Sequence, residues 1–266
     1  MSLLWQGDLE KMRVSIGTPV TYRLGEHFDV NALIGQRINM TFTGNIHCCV
    51  CSKKIPKVYG EGYCYPHFRD DPANAPCVVR PELCEAHEGR GRDPDWERDH
   101  HVTPHVVYLA DSGGIKVGVT RAANTPDRWI DQGAHRALVI AQTPYRQLAG
   151  LIEVGLKGAF GDKTNWRRML TGACDGEVDL AAARARAAEI LTPELAAYLA
   201  QDAEPVTIAY PLGCPPDKVQ SINLAKTPEV EARLEGIRGQ YLIFEGGLVC
   251  NIRRHTGFEI CLSTCG

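Results

Sequence analysis

The feature that most constrains this chain is a run of cysteine and histidine between positions 48 and 101. Six of its eleven cysteines fall between Cys48 and Cys84. The same stretch is rich in Pro, Gly and charge and poor in apolar periodicity. Such a segment cannot pack a core by itself and needs another staple. Reducing compartments disfavour disulfides, so clustered thiols there more often bind metal. The N-terminus, Met1-Ser2-Leu3-Leu4-Trp5-Gln6-Gly7-Asp8, has no basic stretch followed by an apolar run, which predicts no signal peptide. No apolar run approaches the roughly 18–20 residues that span a bilayer. The expectation is a cytoplasmic protein with no membrane partner and with metal, not disulfides, holding residues 48–104.

The spacing names the ligands. Cys48-x2-Cys51-x12-Cys64-x2-His67 supplies two chelating pairs separated by a loop with Gly60 and Gly62 for tight turns. Tetrahedral zinc takes four such soft or borderline donors. His47 and Cys49 flank the first pair and leave its register open. A second set, Cys77-x6-Cys84-x2-His87, needs a fourth ligand from His100 or His101, and His101 is preferred. This spacing is less regular, so one zinc with incidental Cys and His is the alternative to two. Closed four-ligand sites leave no place for water, which makes these zincs structural. Arg80, Arg90, Arg92 and Arg98 could face phosphates, but Asp93, Asp95, Glu97 and Asp99 dilute them into a solvated mixed-charge face. Cys174, Cys214, Cys250, Cys261 and Cys265 are scattered; most fit buried small hydrophobes, and Cys261 with Cys265 could form a weak extra site.

The rest of the chain reads as α+β. Hydrophobic residues make up 44% of the 266 and charged residues 23%, enough apolar material for a sizeable core. Residues 1–47 are β-rich, with alternation over Arg37–Thr43. The stretch 105–202 begins with a hairpin. Strand His105–Ala110 leads through Asp111-Ser112-Gly113-Gly114 into strand Ile115–Thr120. Thr125, Pro126 and Asp127 suit the start of a helix. Val139–Ala141 is a third strand. Leu148, Leu151, Ile152 and Leu156 share one face of a helix over 145–160, and Ala-rich helices follow at about 177–190 and 193–202. The stretch 203–266 returns to strands, with a hairpin over 239–252, and is expected to pack with the β-rich N-terminal stretch. Net charge is −3, which does not suit a bulk coater of DNA and confines any nucleic-acid contact to a local patch.

The central region resembles the GIY-YIG nuclease superfamily. The residues that carry the likeness are Val106-Val107-Tyr108, a glycine turn, Lys116-Val117-Gly118, then Arg128 on the following helix and Glu153 in Leu151–Lys157. The likeness spans about 105–170, a quarter of the chain. It implies a small central sheet flanked by helices and a phosphodiesterase site. In that reading Tyr108 is, or helps form, the general base. Arg128 holds the scissile phosphate, Glu153 binds a divalent ion such as magnesium, and Lys116 replaces the second signature tyrosine. Gly118 permits close backbone approach, and Arg121 and Asn165 contribute to substrate binding. His135 is a further candidate acid or base. The first motif lacks its glycine. Taken one at a time, the residues also fit plain roles: a core aromatic, surface charges, the polar edge of a helix.

Over nearly its full length the chain resembles a prokaryotic family designated domain of unknown function 2797. The matching segments are 116–121, 128–134, 162–166 and Gly239-Gln240-Tyr241-Leu242-Ile243. That name brings no activity with it. Three functions stay open: a metal-dependent phosphodiesterase acting on RNA or DNA, a non-catalytic zinc-dependent nucleic-acid-binding or regulatory protein, and a small-molecule enzyme reusing the same pocket. The sequence leaves the oligomeric state open.

Overall fold

Strand Glu229–Arg238 shows how directly sequence sets structure here. Val230, Ala232 and Leu234 are buried, while Glu229, Glu231, Arg233 and Glu235 face solvent, the two-residue period of a sheet with one wet face. The computed structural model that contains it describes residues 2–161, 163–172 and 178–264. The chain divides into two units, Met1–Arg69 with Ile208–Gly266, and Asp70–Thr207.

The first unit is built on a seven-stranded sheet. Its order is Ser2–Asp8, Phe258–Thr264, Arg37–Ile46, Glu229–Arg238, Tyr241–Phe244, Leu248–Asn251 and Gln220–Ser221. All neighbours are antiparallel except the last pair. Both ends of the chain therefore contribute strands to one sheet. A three-stranded sheet of Arg13–Ser15, Thr21–Leu24 and Phe28–Asp29 completes the β content. Buried Gln240 bridges distant segments: its Oε1 accepts from Met12 N at 2.7 Å and its Nε2 donates to Met12 O at 3.1 Å. A buried backbone pair is thereby satisfied by a side chain rather than a ladder.

His255 is the titrating keystone of this unit. It is 2% exposed. Leu224 N donates to its Nε2 at 3.1 Å, and its Nδ1 donates to Asn251 O at 2.8 Å, so the neutral ring uses both nitrogens. Burial holds its pKa below the usual 6.5, with Arg254 acting in the same direction and the Asn251 carbonyl against it. Protonation would leave Leu224 N–H facing a donor. Because the unfolded chain takes up this proton first as pH falls, the stability His255 contributes is full above about 6.5 and is lost on acidification below it. Urea unfolding of the zinc-saturated protein at pH 7.5 and 5.5 is expected to show an acid loss larger in the wild type than in His255→Gln, by up to about 1.4 kcal/mol. Equal losses in both proteins would refute this role.

The second unit carries a four-stranded antiparallel sheet in the order Ile115–Arg121, His105–Asp111, Arg136–Thr143, Val206–Thr207. The predicted hairpin is present. Asp111 Oδ1 accepts from Gly113 N and Gly114 N across its turn. Val107, Leu109 and Val117 face a core completed by Leu138, Ile140, Ala149, Ile152, Leu156 and the Leu180–Ile190 helix.

Three helices differ from expectation. The one near 125 runs only over Asp127–Asp131, and Thr125 donates its hydroxyl back to Ala122 O at 2.7 Å instead of capping it. The helix expected over 145–160 spans Arg146–Leu156. The one expected over 193–202 stops at Ala196, and Leu199 instead bridges to Ala141. The expected start at 177, together with Asp162, Cys174 and Cys265, lies outside the described residues. Among the described residues no helix is long and apolar enough to cross a membrane.

Candidate metal centres

Strand Arg37–Ile46 delivers the chain into a tight turn at Cys48, where Ser52 N donates to Cys48 O at 2.8 Å. A small hairpin, closed by the Tyr59–Tyr63 bridge, then returns the chain to Cys64 and the short helix Tyr65–Asp70 that carries His67. Cys48, Cys51, Cys64 and His67 converge as the spacing predicted, with ligand atoms within 4.8 Å of one another. His67 Nδ1 lies 3.4 Å from Cys48 Sγ and 3.2 Å from Cys64 Sγ. His47 instead meets Asp8 at 2.7 Å, and Cys49 is exposed, so neither joins the group. Burial pushes the Cys48 thiol up. The N–H groups of Cys51, Cys64 and Val50, with His67, outweigh it and bring it down to about 6. The loop is thus arranged to stabilise a thiolate, the form that binds metal.

The second cluster belongs to the other unit and is buried throughout: Cys77, Cys84, Glu97 and His101. Cys77 sits on the short helix Pro76–Val79, and Cys84 follows the 3-10 turn Pro81–Leu83. Helix Pro94–His101 is capped by Asp93, whose side chain accepts from Trp96 N at 3.0 Å, and has proline at its first position. Glu97 and His101 stand one turn apart on it and so share a face. His101 Nδ1 lies 3.5 Å from Cys84 Sγ, 3.9 Å from Cys77 Sγ and 3.7 Å from Glu97 Oε2. Gly91 makes room for the glutamate, since a Cβ there would lie 2.3 Å from its carboxylate. A hydrogen bond from Cys77 draws the Cys84 thiol down to about 4 against burial, with His101 and Ala86 N–H helping. Cys77 moves up as the donor of that bond, and burial adds to the rise.

Two expectations are corrected here. His87 is not in the cluster. The turn Ala86–Glu88 seats its ring face to face on Tyr145, with centroids 4.5 Å apart. Glu97, grouped with solvated charges on sequence alone, takes its place, and its spacing of four from His101 on one helix was the available signal. His100 is excluded as well: it stacks on Trp96 at 3.9 Å and bonds Trp96 O.

The donor sets fit a metal. Bond lengths of about 2.3 Å to sulfur and 2.0–2.1 Å to nitrogen make the sulfur–nitrogen edge of a tetrahedron about 3.6 Å. The four sulfur–nitrogen separations, 3.2, 3.4, 3.5 and 3.9 Å, bracket that edge.

Beside the second cluster lies a polar neighbourhood. Tyr108 is fully buried on the central strand and stands opposite Gly118 in the ladder. A Cβ at 118 would come within 2.6 Å of the tyrosine hydroxyl and 2.7 Å of its Cζ, so only glycine admits the ring. Lys116, two residues along, is buried on the same side of its strand. Tyr108 donates to Gln132 Oε1 at 2.8 Å. Burial raises its pKa, while Arg128 beside it and Gln132 work the other way and Glu153 stands within electrostatic reach. The hydroxyl is enclosed and keeps its proton, which is unlike the general base that the resemblance implies.

Glu153 is 9% exposed on the Arg146–Leu156 helix and meets Lys157 at 3.6 Å. Arg121 ends its strand, half-buried, opposite His105. Asn165 caps helix Trp166–Thr171, accepting from Arg168 N at 3.3 Å, and is exposed. That is a structural task at a helix end. His135 is exposed.

Sequence reasoning missed the residues that tie this neighbourhood to the second cluster. Arg146 donates to Cys77 O at 3.0 Å and to Val78 O at 2.9 Å. Burial lowers its pKa, opposed by the nearby Cys77, Cys84 and Glu153. Gly150 of the same helix touches the turn between the two cysteines, where a Cβ would lie 2.2 Å from Glu82 N.

Fold and site together define a mixed α+β protein with, among the described residues, two Cys/His clusters, one in each unit, that can hold a metal. The chain belongs to the family described as "Protein of unknown function (DUF2797)", whose model matches residues 35–260. Comparison with curated proteins and with solved structures gave no match.

Proposed function

We propose that both clusters hold structural zinc and that the chain is a metal-dependent phosphodiesterase acting on nucleic acid through the Tyr108 neighbourhood. What supports the catalytic assignment is that Tyr108, Lys116 and Glu153 are buried polar groups on three separate elements, with Arg128 and Glu153 both within electrostatic reach of the Tyr108 hydroxyl. Arg128 would neutralise the scissile phosphate. Glu153 would anchor a divalent ion such as magnesium, which lowers the charge on the phosphate and the pKa of water. Water adds to phosphorus and gives up a proton to solvent, one P–O ester bond breaks, and the leaving oxygen takes up a proton from solvent. Tyr108 orients Arg128 and Gln132 and is not the base.

Incubation of the zinc-loaded protein with single- and double-stranded DNA and RNA plus magnesium is expected to give cleavage that falls about 100-fold or more in Glu153→Gln. Cleavage that survives this change would overturn the assignment. The enclosure of the Tyr108 hydroxyl favours a second reading, in which the same residues form a phosphate pocket without chemistry. It predicts binding with steep salt dependence and no cleavage.

A further inference from the structure

We propose that the metal-held lobe at residues 48–69 is a binding platform for single-stranded nucleic acid. Three aromatic rings meet there. Tyr59 and Tyr65 have centroids 5.2 Å apart, and Tyr59 and Phe68 6.1 Å. Tyr65 is 54% exposed and Phe68 39%. Lys57 places its Nζ 4.8 Å over the Tyr59 ring.

Exposed clustered rings on a small lobe ask for a ligand with flat apolar faces. The charge says which. Lys53, Lys54, Lys57 and Arg69 are exposed in a lobe whose one carboxylate, Glu61, is bound by Arg253 at 2.7 Å. The lobe is locally cationic in a chain of net charge −3. Rings and cations interleaved over a short span match unstacked bases on a phosphate backbone, whereas in a duplex the base faces are hidden.

The metal cluster supplies the rigidity. Tyr65 and Phe68 flank the ligands Cys64 and His67, on the chain that the cluster pins. Ordering the rings therefore costs the complex little. The inference rests on the nucleic-acid half of the reading above and not on cleavage.

The test is fluorescence anisotropy with the zinc-loaded full chain, without magnesium. The probes are unstructured single-stranded RNA and DNA and the matching duplex, each about 20 nucleotides long. Single strands of either sugar are expected to bind at least about tenfold tighter than duplex. The Tyr65→Ala/Phe68→Ala double variant, its zinc content checked by native mass spectrometry, is expected to lose about tenfold per ring. Lys57→Gln is expected to lower the salt slope for single strands by about 0.7. Cleavage measured separately on Glu153→Gln does not bear on these readouts. Equal binding of duplex and single strand, no binding of any probe, or wild-type affinity in a double variant that keeps its zinc would each overturn the platform.

Discussion

Cys84→Ser is expected to remove one of two bound metal ions and to unfold the segment from Asp70 to His101. Apart from its contacts with Tyr145 and the Arg146–Leu156 helix, little else holds that segment. Its helices are short, and its buried cluster consists of Ala75, Cys77, Cys84 and Ala86, so two of the four core residues are themselves candidate metal ligands. Without the ion, the buried carboxylate of Glu97 and the thiolates of Cys77 and Cys84 lose the cation that balances them. Structural zinc contributes an apparent ~10–16 kcal/mol in small zinc domains at neutral pH, which exceeds what such a core supplies. Native mass spectrometry of the variant should count one zinc, and limited proteolysis should cut between 71 and 93 at sites that the wild type protects. Cys49→Ser and His87→Ala should keep both ions, because neither residue lies in a cluster. A Cys84→Ser protein that retains two ions and wild-type resistance would refute the second centre. Loss of zinc in His87→Ala would return that residue to the ligand set.

The second large effect is at Gly150. Alanine in place of glycine inside a helix ordinarily stabilises by up to ~1 kcal/mol. Here the sign reverses, because the new methyl would lie 2.2 Å from Glu82 N and 2.4 Å from Pro81 C. Both are backbone atoms of the turn between Cys77 and Cys84, and a turn fixed at both ends by metal ligands has little room to yield. Gly150→Ala should therefore destabilise the second unit by about 2–3 kcal/mol in urea unfolding. It should also weaken zinc retention, since Arg146 of the same helix bonds the Cys77 and Val78 carbonyls. Gly155→Ala is the control: the helix is the same, the residue is exposed, and its nearest obstacle is a flexible Leu191 methyl at 3.4 Å. A neutral or mildly stabilising result is expected there. If the two variants behave alike, the turn and the helix are not locked together.

The first metal cluster was legible because all four ligands are local and paired by short loops. The hairpin at 105–121 was legible for the same reason, since two short apolar strands joined by a Gly-Gly turn define it within a few residues. The second cluster was half legible. Cys84-x2-His87 imitates a chelating pair, yet a 3-10 turn followed by stacking on Tyr145 takes the imidazole away. Glu97 was hidden among neighbouring carboxylates that do face water, and only the helix under it shows that it shares a side with His101. The boundary between units falls at 69/70, inside a Cys/His-rich stretch that reads as one block, because composition does not reveal which sheet a loop packs on. Strand order was out of reach for a related reason. Arg37–Ile46 pairs with partners some two hundred residues away, and long-range pairing leaves no mark on local periodicity. Around Tyr108, the order Tyr108, Lys116, Gly118, Arg128, Glu153 was visible, whereas the burial of the tyrosine hydroxyl is a property of packing alone.

All of this rests on the proposal that each unit holds one ion. Native mass spectrometry of protein purified without added metal, with the thermal unfolding midpoint measured before and after chelator, tests that proposal most directly. The account predicts a mass excess of two zinc ions, and after chelation a lower melting temperature that zinc restores and magnesium does not. A folded chain carrying no metal, with an unchanged melting temperature in chelator, would contradict it.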